Sequence, residues 1–315
     1  MALYLIVPTY KRNDRLRALL RALAQQTLWP AAIVIVDNAT SSECRRTTTT
    51  STDLPIVYIP AGSNLGPAGG TSLGFAAALA LARDQDWLMR CDDDSTLRVP
   101  DQLSAIVQAA DERRSHDPTT AAVGTHGAVW DPRSAHLRKL PSRGHPYPQR
   151  VDYLATNHFP VFLAGAARSV GLFRHDLFFG HDEVEYGLRL RQAGYSIYRV
   201  RNPQPSGGSA QPKGIQSTRA GARRSQTTQV GWRHYYSVRN RVILAREYGG
   251  SAAPALATVQ PLLAALAQLP WSPRASLRRL RLSVKALVHA HQGRMGRTVE
   301  PGTVAGALDR RGESP

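Results

Sequence analysis

The alternation of short apolar runs with helix-patterned segments over roughly the first hundred residues is the feature that most narrows what this chain can fold into. Leu3 to Val7 is an apolar run closed by Pro8, the pattern of a buried strand. Asn13 or Asp14 can cap a helix carrying Leu16, Leu19, Leu20 and Leu23 on one face, with arginines interleaved on the other. Further strands are expected at 32–36, 55–59 and 87–89, with an alanine-rich helix at 71–83 between the last two. Such a rhythm predicts a mainly parallel sheet covered by helices, with ligands at the carboxyl ends of the strands. A helix at 99–114 and a strand at 121–124 follow, then a long insertion at 126–150 rich in Pro, Arg, His and Gly. His126, His136 and His145 are too scattered there to read as metal ligands, and solvated histidines are expected.

Pro8, Asp37, Asn64 and Asp92 all fall at predicted strand ends, so one crevice can collect four loops. The strongest of these is Arg90-Cys91-Asp92-Asp93-Asp94-Ser95. Three adjacent anions repel, which calls for a positive partner. Mg²⁺ or Mn²⁺ suits carboxylate oxygen and commonly holds substrate phosphates through one or two protein carboxylates. Alternate strand residues share a face, so Asp92 and Asp94 point together while Asp93 turns away. The plain alternative is a solvated acidic turn. The glycine-rich 62–70 stretch offers backbone N–H groups and a helix start to phosphate, or is a tight turn; it matches neither common nucleotide fingerprint. Asp37 is either a ligand contact or the acceptor of its own turn.

A second acidic element is Asp182-Glu183-Val184-Glu185, opening a helix that Gly194 ends and a strand at 195–200 follows. Asp182 with Glu185 fits a capping box, and Glu185 with Arg189 fits a helical ion pair. Glu183 has no local structural partner, and a carboxylate in a first helical turn facing a metal is a reasonable general base. Residues 204–228 lack periodicity and read as a flexible basic loop, a lid or a linker. In the stretch 231–241, Trp232, His234, Tyr236 and Arg239 combine aromatic and cationic groups suited to an acceptor or phosphate, ahead of a helix at 242–248.

Composition enters through charge. A formal net charge of +17 favours polyanionic company: nucleic acid, an anionic membrane or phosphorylated substrates. The positive clusters at 213–241 and 274–297 accompany no recognised nucleic-acid motif, which leaves a basic nucleic-acid-binding protein as an alternative from another class. Cys44 and Cys91 are expected as reduced thiols in a cytoplasmic protein, and the amino terminus reads as a first strand rather than a leader. The most apolar stretch, 252–269, is interrupted by Thr258, Gln260 and Pro261, so it does not read as a membrane span. Leu277, Leu280, Val284, Leu287 and Val288 share a helical face flanked by arginines, which either lies on an anionic bilayer or packs on the rest of the protein. A tail without structure is expected beyond Gly293.

Taken in order, Val7-Pro8-Thr9-Tyr10-Lys11-Arg12, Asp37-Asn38, Asn64-Leu65-Gly66-Pro67-Ala68-Gly69-Gly70, the Asp92–Asp94 triplet and Asp182-Glu183-Val184-Glu185-Tyr186-Gly187-Leu188-Arg189 resemble the inverting family 2 glycosyltransferases of GT-A fold. Tyr236-Ser237-Val238-Arg239-Asn240-Arg241 extends the match, which looks most like the galactofuranosyl- and rhamnosyltransferase branch that builds bacterial cell-envelope glycans. The resemblance covers about residues 1–250 and implies a GT-A domain there; the pattern of the rest reads as a helical extension at 251–292 and a tail at 293–315.

The resemblance further implies an α/β nucleotide-sugar site. Pro8, Thr9 and Arg12 would shape the nucleotide pocket and Asp37 would contact the nucleobase, with Asn64, Gly66 and Gly69 beside the donor. Asp92 and Asp94 would engage Mn²⁺ or Mg²⁺ on a UDP- or dTDP-linked sugar, with Asp93 also at the donor. Glu183 would be the base that activates a hydroxyl of a glycan or lipid-linked acceptor, and Asp182 is its rival. Many relatives carry Asp at the base position. Relatives often supply a metal-binding histidine soon after the strand at 195–200, whereas 201–210 contains none, leaving His234 or water as substitutes. The protein is then expected in the cytoplasm, peripheral on the inner face of the cell membrane. Nucleotidyl transfer to a sugar phosphate is the alternative within enzymes.

Overall fold

In the computed structural model, which describes residues 1–50, 53–141, 146–201 and 231–301, the apolar runs become strands of a single large sheet. The first part of the chain alternates β1 (Leu3–Thr9), α1 (Asn13–Ala24), β2 (Ala32–Asp37), α2 (Ser42–Thr50), β3 (Ile56–Pro60), α3 (Gly66–Leu81), β4 (Trp87–Arg90), α4 (Gln102–His116) and β5 (Thr120–Gly124). Next come β6 (Gly127–Asp131), β7 (His136–Lys139), β8 (Gln149–Arg150), β9 (Tyr153–Leu154), β10 (Val161–Leu163), α5 (Ala164–Val170), α6 (Asp182–Gln192) and β11 (Ser196–Arg199). The helices α7 (Trp232–Tyr248), α8 (Ala253–Ala267) and α9 (Pro273–His291) complete the described chain.

The large sheet has the order β3-β2-β1-β4-β10-β5-β11-β8. Its neighbours β3, β2, β1 and β4 run parallel, while β10 is antiparallel to both β4 and β5. Because β10 is antiparallel to both neighbours, β5 and its parallel partner β11 end on the same edge as β1 to β4, and β8 closes the sheet as an antiparallel edge strand. Thr9, Asp37, Pro60, Arg90, Gly124 and Arg199 therefore close strands along one side of the sheet, where a doubly covered α/β sheet binds its ligands. The strands are apolar on both faces because helices cover both. Leu16, Leu19, Leu20 and Leu23 of α1 are all buried, as their spacing predicts. Phe75, Phe162, Phe173 and Tyr186 form an aromatic cluster, with the last two rings stacked at 3.9 Å.

Three elements were not legible in the pattern. β10 is three residues long, too short for any period to register. α2 is built on four consecutive threonines, which disfavour helix, but Thr48, Thr49 and Thr50 bond back to the carbonyls of Arg45 and Arg46 one turn earlier. The partly irregular insertion at 126–150 carries the short strands β6, β7 and β8, which its composition did not announce; 142–145, His145 among them, lie outside the described residues.

The described chain groups into two compact units. The first holds Met1–Trp130, Leu137–Phe178 and 182–201, and the second holds Asp131–His136, Phe179–His181 and 231–301. The helix expected at 242–248 starts at Trp232 and groups with the C-terminal helices. In the second unit α7, α8 and α9 pack on one another. The buried face of α9 is Ser276, Leu282, Ser283, Ala286, Leu287 and Ala290; Leu277, Val284 and Val288 of the expected face are exposed. Residues 293–301, expected as tail, are held instead: Tyr236 Oη donates to Val299 O at 2.9 Å and receives the N–H groups of Thr298 and Val299. The remainder of that segment, and the basic loop at 204–228, lie outside the described residues. Among the described residues no helix is long and apolar enough to cross a membrane.

Candidate active site

The site grows from the ends of β1 and β4. Thr9 Oγ1 donates to Asp93 at 2.8 Å, and Arg12 donates to Asp93 and to Asp94 at 3.1 Å each. Arg15 lies 3.7 Å from the same Asp94 oxygen. Asp93 is thus the buried pin between two strand-end loops; β4 ends at Arg90 and the triplet lies in the turn after it, where Arg12 holds Asp93 and Asp94 together, so strand alternation does not set these side chains. Asp92 and Asp94 keep about a third of their side-chain surface, 36% and 35%. Burial pushes the Asp92 carboxyl upward; Arg90 opposes this, while Glu183, Asp94 and Asp93 add to it.

Arg90, the last residue of β4, is 2% exposed and faces two acids at once. Its guanidinium lies 2.5 Å from Glu183 Oε1 and 3.5 Å from Asp92 Oδ1. Thr156 donates its hydroxyl to Glu183 Oε1, and the Tyr153 phenol also hydrogen-bonds Glu183, its own pKa raised first by burial and then by that carboxylate. Glu183, which has no partner close in sequence, therefore has three distant ones. It remains 21% exposed, enough to meet an incoming hydroxyl. Asp182 beside it is 3% exposed, its Oδ2 has no hydrogen-bond partner among the described residues, and its pKa is raised to about 6, chiefly by burial, with Arg90 opposing and Glu183 reinforcing. Of the two carboxylates only Glu183 offers surface to a substrate. The sequence signal for Arg90 was a cation at the end of the apolar Trp87-Leu88-Met89 run, which must find an anion once buried. Tyr153 and Thr156 sit in unpatterned chain and carried no signal.

The other expected donor residues divide. Asn64 Oδ1 accepts from the Gly66 N–H at 2.9 Å, and Asn38 Oδ1 accepts from the Leu65 N–H at 3.1 Å, which shapes the start of α3 at the ligand edge. Gly66 has φ +71, and a Cβ there would lie 2.2 Å from the Phe178 carbonyl oxygen, so a close approach as well as a turn demands glycine. A Cβ on Gly69 would meet Leu65 Cβ at 2.6 Å, and one on Gly70 would meet Pro8 Cβ at 3.0 Å. Pro8 is buried. These contacts make the glycines packing residues of α3 in addition to whatever they present to a ligand. Asp37, expected at the nucleobase, takes the other of the two readings that its sequence position allowed, as acceptor of its own turn. It is 0% exposed, and its oxygens accept from the N–H groups of Ala39 and Ser41 at 2.8 and 2.7 Å and from Tyr58 Oη at 2.9 Å. The turn has taken the carboxylate.

Trp232, His234, Tyr236 and Arg239 belong to the second unit, and two of them correct the expectation of acceptor contact outright. Tyr236 and Arg239 are 0% exposed; Arg239 donates to Gly296 O at 2.8 Å and to Asn240 Oδ1 at 2.9 Å. Trp232 packs edge-on against Phe179 at 4.7 Å. His234 Nε2 is 2.9 Å from Ser283 Oγ, and burial, aided by Arg279, lowers its pKa to about 4. That ring nitrogen is engaged within its own bundle. In the first unit His126 is exposed, as expected of a solvated histidine, and its ring stacks on His158 at 3.6 Å; desolvation on that side first and His158 second lower its pKa to about 4.

Asp92 and Asp94 fit a hard divalent cation: both are oxygen donors and both are partly open. No group of three His, Cys, Asp or Glu side chains that could hold a metal occurs among the described residues. The fit is accordingly to an ion that takes its remaining ligands from a substrate diphosphate and water, the usual habit of Mg²⁺. Cys44 and Cys91 are buried free thiols.

Comparison with known proteins agrees with this architecture. Residues 4–171 match the model of "Glycosyl transferase family 2". Over 205 residues the chain is 28% identical to galactofuranosyltransferase GlfT1 of Mycobacterium tuberculosis, covering 61% of this chain and 66% of that protein. It is 30% identical over 202 residues to GlfT1 of Mycolicibacterium smegmatis, covering 60% and 65%. The match thus spans slightly less than two thirds of those relatives' own length. The crystal structure of GalNAc-T7 with UDP, GalNAc and Mn²⁺ superposes with a TM-score of 0.51 at 14% identity, over 81% of this chain and 54% of that one, a likeness of fold. With a family match over more than half of its length and a mainly parallel GT-A sheet, the chain belongs to glycosyl transferase family 2 and is by family a glycosyltransferase.

Proposed function

We propose that this protein transfers a galactofuranose- or rhamnose-like sugar from a nucleotide diphosphate donor, UDP- or dTDP-linked, to a hydroxyl of a glycan or lipid-linked acceptor, with inversion at the anomeric carbon. The observation that carries this reading is Arg90, which gathers Glu183 and Asp92 at one strand end. The similarity to galactofuranosyltransferases supports the sugar class.

Asp92 and Asp94 would hold Mn²⁺ or Mg²⁺ against the donor diphosphate. When bound, that ion offsets the negative charge that develops on the leaving nucleotide. Arg12, half-exposed beside Asp94, supplies a further cation at the same edge. Arg90 and Thr156 both hold Glu183 Oε1, which orients a carboxylate that is still partly exposed to take the proton of the acceptor hydroxyl. Attack then comes from the face of the sugar opposite the nucleotide. A positioned base of this kind contributes about 10²–10⁴-fold in rate. Residues around Asn64 and Gly66 shape the donor side of the crevice.

The test is a panel of nucleotide sugars offered with Mn²⁺ or Mg²⁺ in the absence of acceptor, monitored for slow donor hydrolysis. One responding donor, silent in Glu183→Gln, supports the proposal. Equal responses from variant and wild type contradict the assignment of the base.

A further inference from the structure

Among the described residues fifteen large hydrophobic side chains are exposed, and nine of them lie in α8, the turn after it and α9. Leu256, Val259, Leu263 and Leu266 recur at helical spacing along one side of α8, and Trp271 is 86% exposed just beyond its end. No charged residue occurs from 249 to 273. In α9 the exposed Leu277, Val284 and Val288 form a row, and Arg274, Arg281 and Lys285 repeat the same spacing three residues earlier, so an exposed cationic row runs beside an apolar one. Soluble surfaces seldom concentrate apolar side chains in this way without a partner.

We propose that this face of the second unit docks on an anionic phospholipid bilayer, with α8 and Trp271 entering the headgroup region and the α9 cations meeting lipid phosphates. Charge selects this occupant. A second copy would bring the same cationic row and a net charge of +17 against itself, whereas an anionic lipid surface complements both rows. The chain's own remaining segments are poor covers: residues 202–230 and 302–315 hold only Ile215, Val230, Val304 and Leu308 as large apolar side chains, against nine to be covered. An exposed aromatic at the boundary of an apolar helix and a basic one suits the interfacial region, where amphipathic rings are favoured. This inference concerns the second unit and does not depend on the glycosyl-transfer reading.

The test uses the full chain with phosphatidylcholine vesicles containing or lacking phosphatidylglycerol. Co-sedimentation only with the anionic vesicles is expected, with a blue shift of tryptophan emission that Trp271→Phe abolishes. Leu263→Ser and the triple change Arg274→Gln, Arg281→Gln, Lys285→Gln should each keep the far-ultraviolet circular dichroism of the wild type. The triple variant should partition on the order of a hundredfold more weakly. Binding to neither vesicle type, unaltered binding by both variants, or a dimer in solution that Leu263→Ser dissociates would each overturn the proposal.

Discussion

Asp92 and Glu183, far apart in sequence, meet the same guanidinium: Arg90 lies 3.5 Å from one and 2.5 Å from the other. One acid sits at a strand end and the other in the first turn of α6, and the buried cation between them fixes their separation. A cation buried at 2% exposure needs such partners, so the arrangement is enforced by folding as well as useful to chemistry.

Glu183→Gln removes the proposed base and keeps the shape of the side chain. Turnover should fall by about 10²–10⁴-fold while affinity for the nucleotide donor is retained. Single-turnover kinetics alongside calorimetric donor titration separates the two quantities.

Thr156 is expected to position that base. Thr156→Val deletes the hydroxyl that bonds Glu183 Oε1 and should lower kcat by roughly tenfold with little change in donor KM, since one hydrogen bond to a charged group is worth about 1.5–3 kcal/mol. Thr156→Ser should restore the rate. A fold defect would lower the amount of active enzyme in both variants and would not follow the hydroxyl.

Asp182 supplies a pH test of stability. Its folded-state pKa, raised to about 6 by burial, exceeds the unfolded value of about 3.9, so between those values the folded chain keeps a proton that the unfolded chain has released. Stability from this group accordingly falls as pH rises through that window and is level above it. Asp182→Asn should remove this slope and gain on the wild type by on the order of 2 kcal/mol above the window, measured by urea unfolding across pH.

Much of this arrangement was open to reading from the chain. The β1, α1, β2 and β4 segments announced themselves because each is apolar with a clear period, and the ligand edge followed from parallel pairing. Asp93 is buried, but in a turn beyond β4, where strand alternation does not apply. Asp37 misled because a strand-end aspartate looks the same whether it serves a ligand or its own turn; only the Tyr58, Ala39 and Ser41 donors decide, and Tyr58 reaches it from a neighbouring strand. Tyr236 and Arg239 misled for a related reason. Aromatic and cationic groups in one stretch suit a ligand, yet here they are satisfied by the carbonyls of 296 and 299. Tyr153 and Thr156 gave no signal, since their importance lies entirely in a contact made across the fold.

The start of α3 offers a stability test of that close packing. Gly66→Ala places a methyl 2.2 Å from a carbonyl oxygen at a left-handed φ, whereas Gly62→Ala has a similar φ of +72 but nothing within 4 Å. Both should destabilise, Gly62→Ala by about 1 kcal/mol and Gly66→Ala by several, read from denaturant midpoints.

The most direct measurement is the crystal structure of Glu183→Gln with Mn²⁺ and the nucleotide sugar that the donor panel selects. The account predicts an ion between Asp92, Asp94 and the diphosphate, with the anomeric carbon presented toward residue 183 on the face away from the nucleotide. A donor bound elsewhere, or one whose anomeric carbon faces away from residue 183, would contradict it.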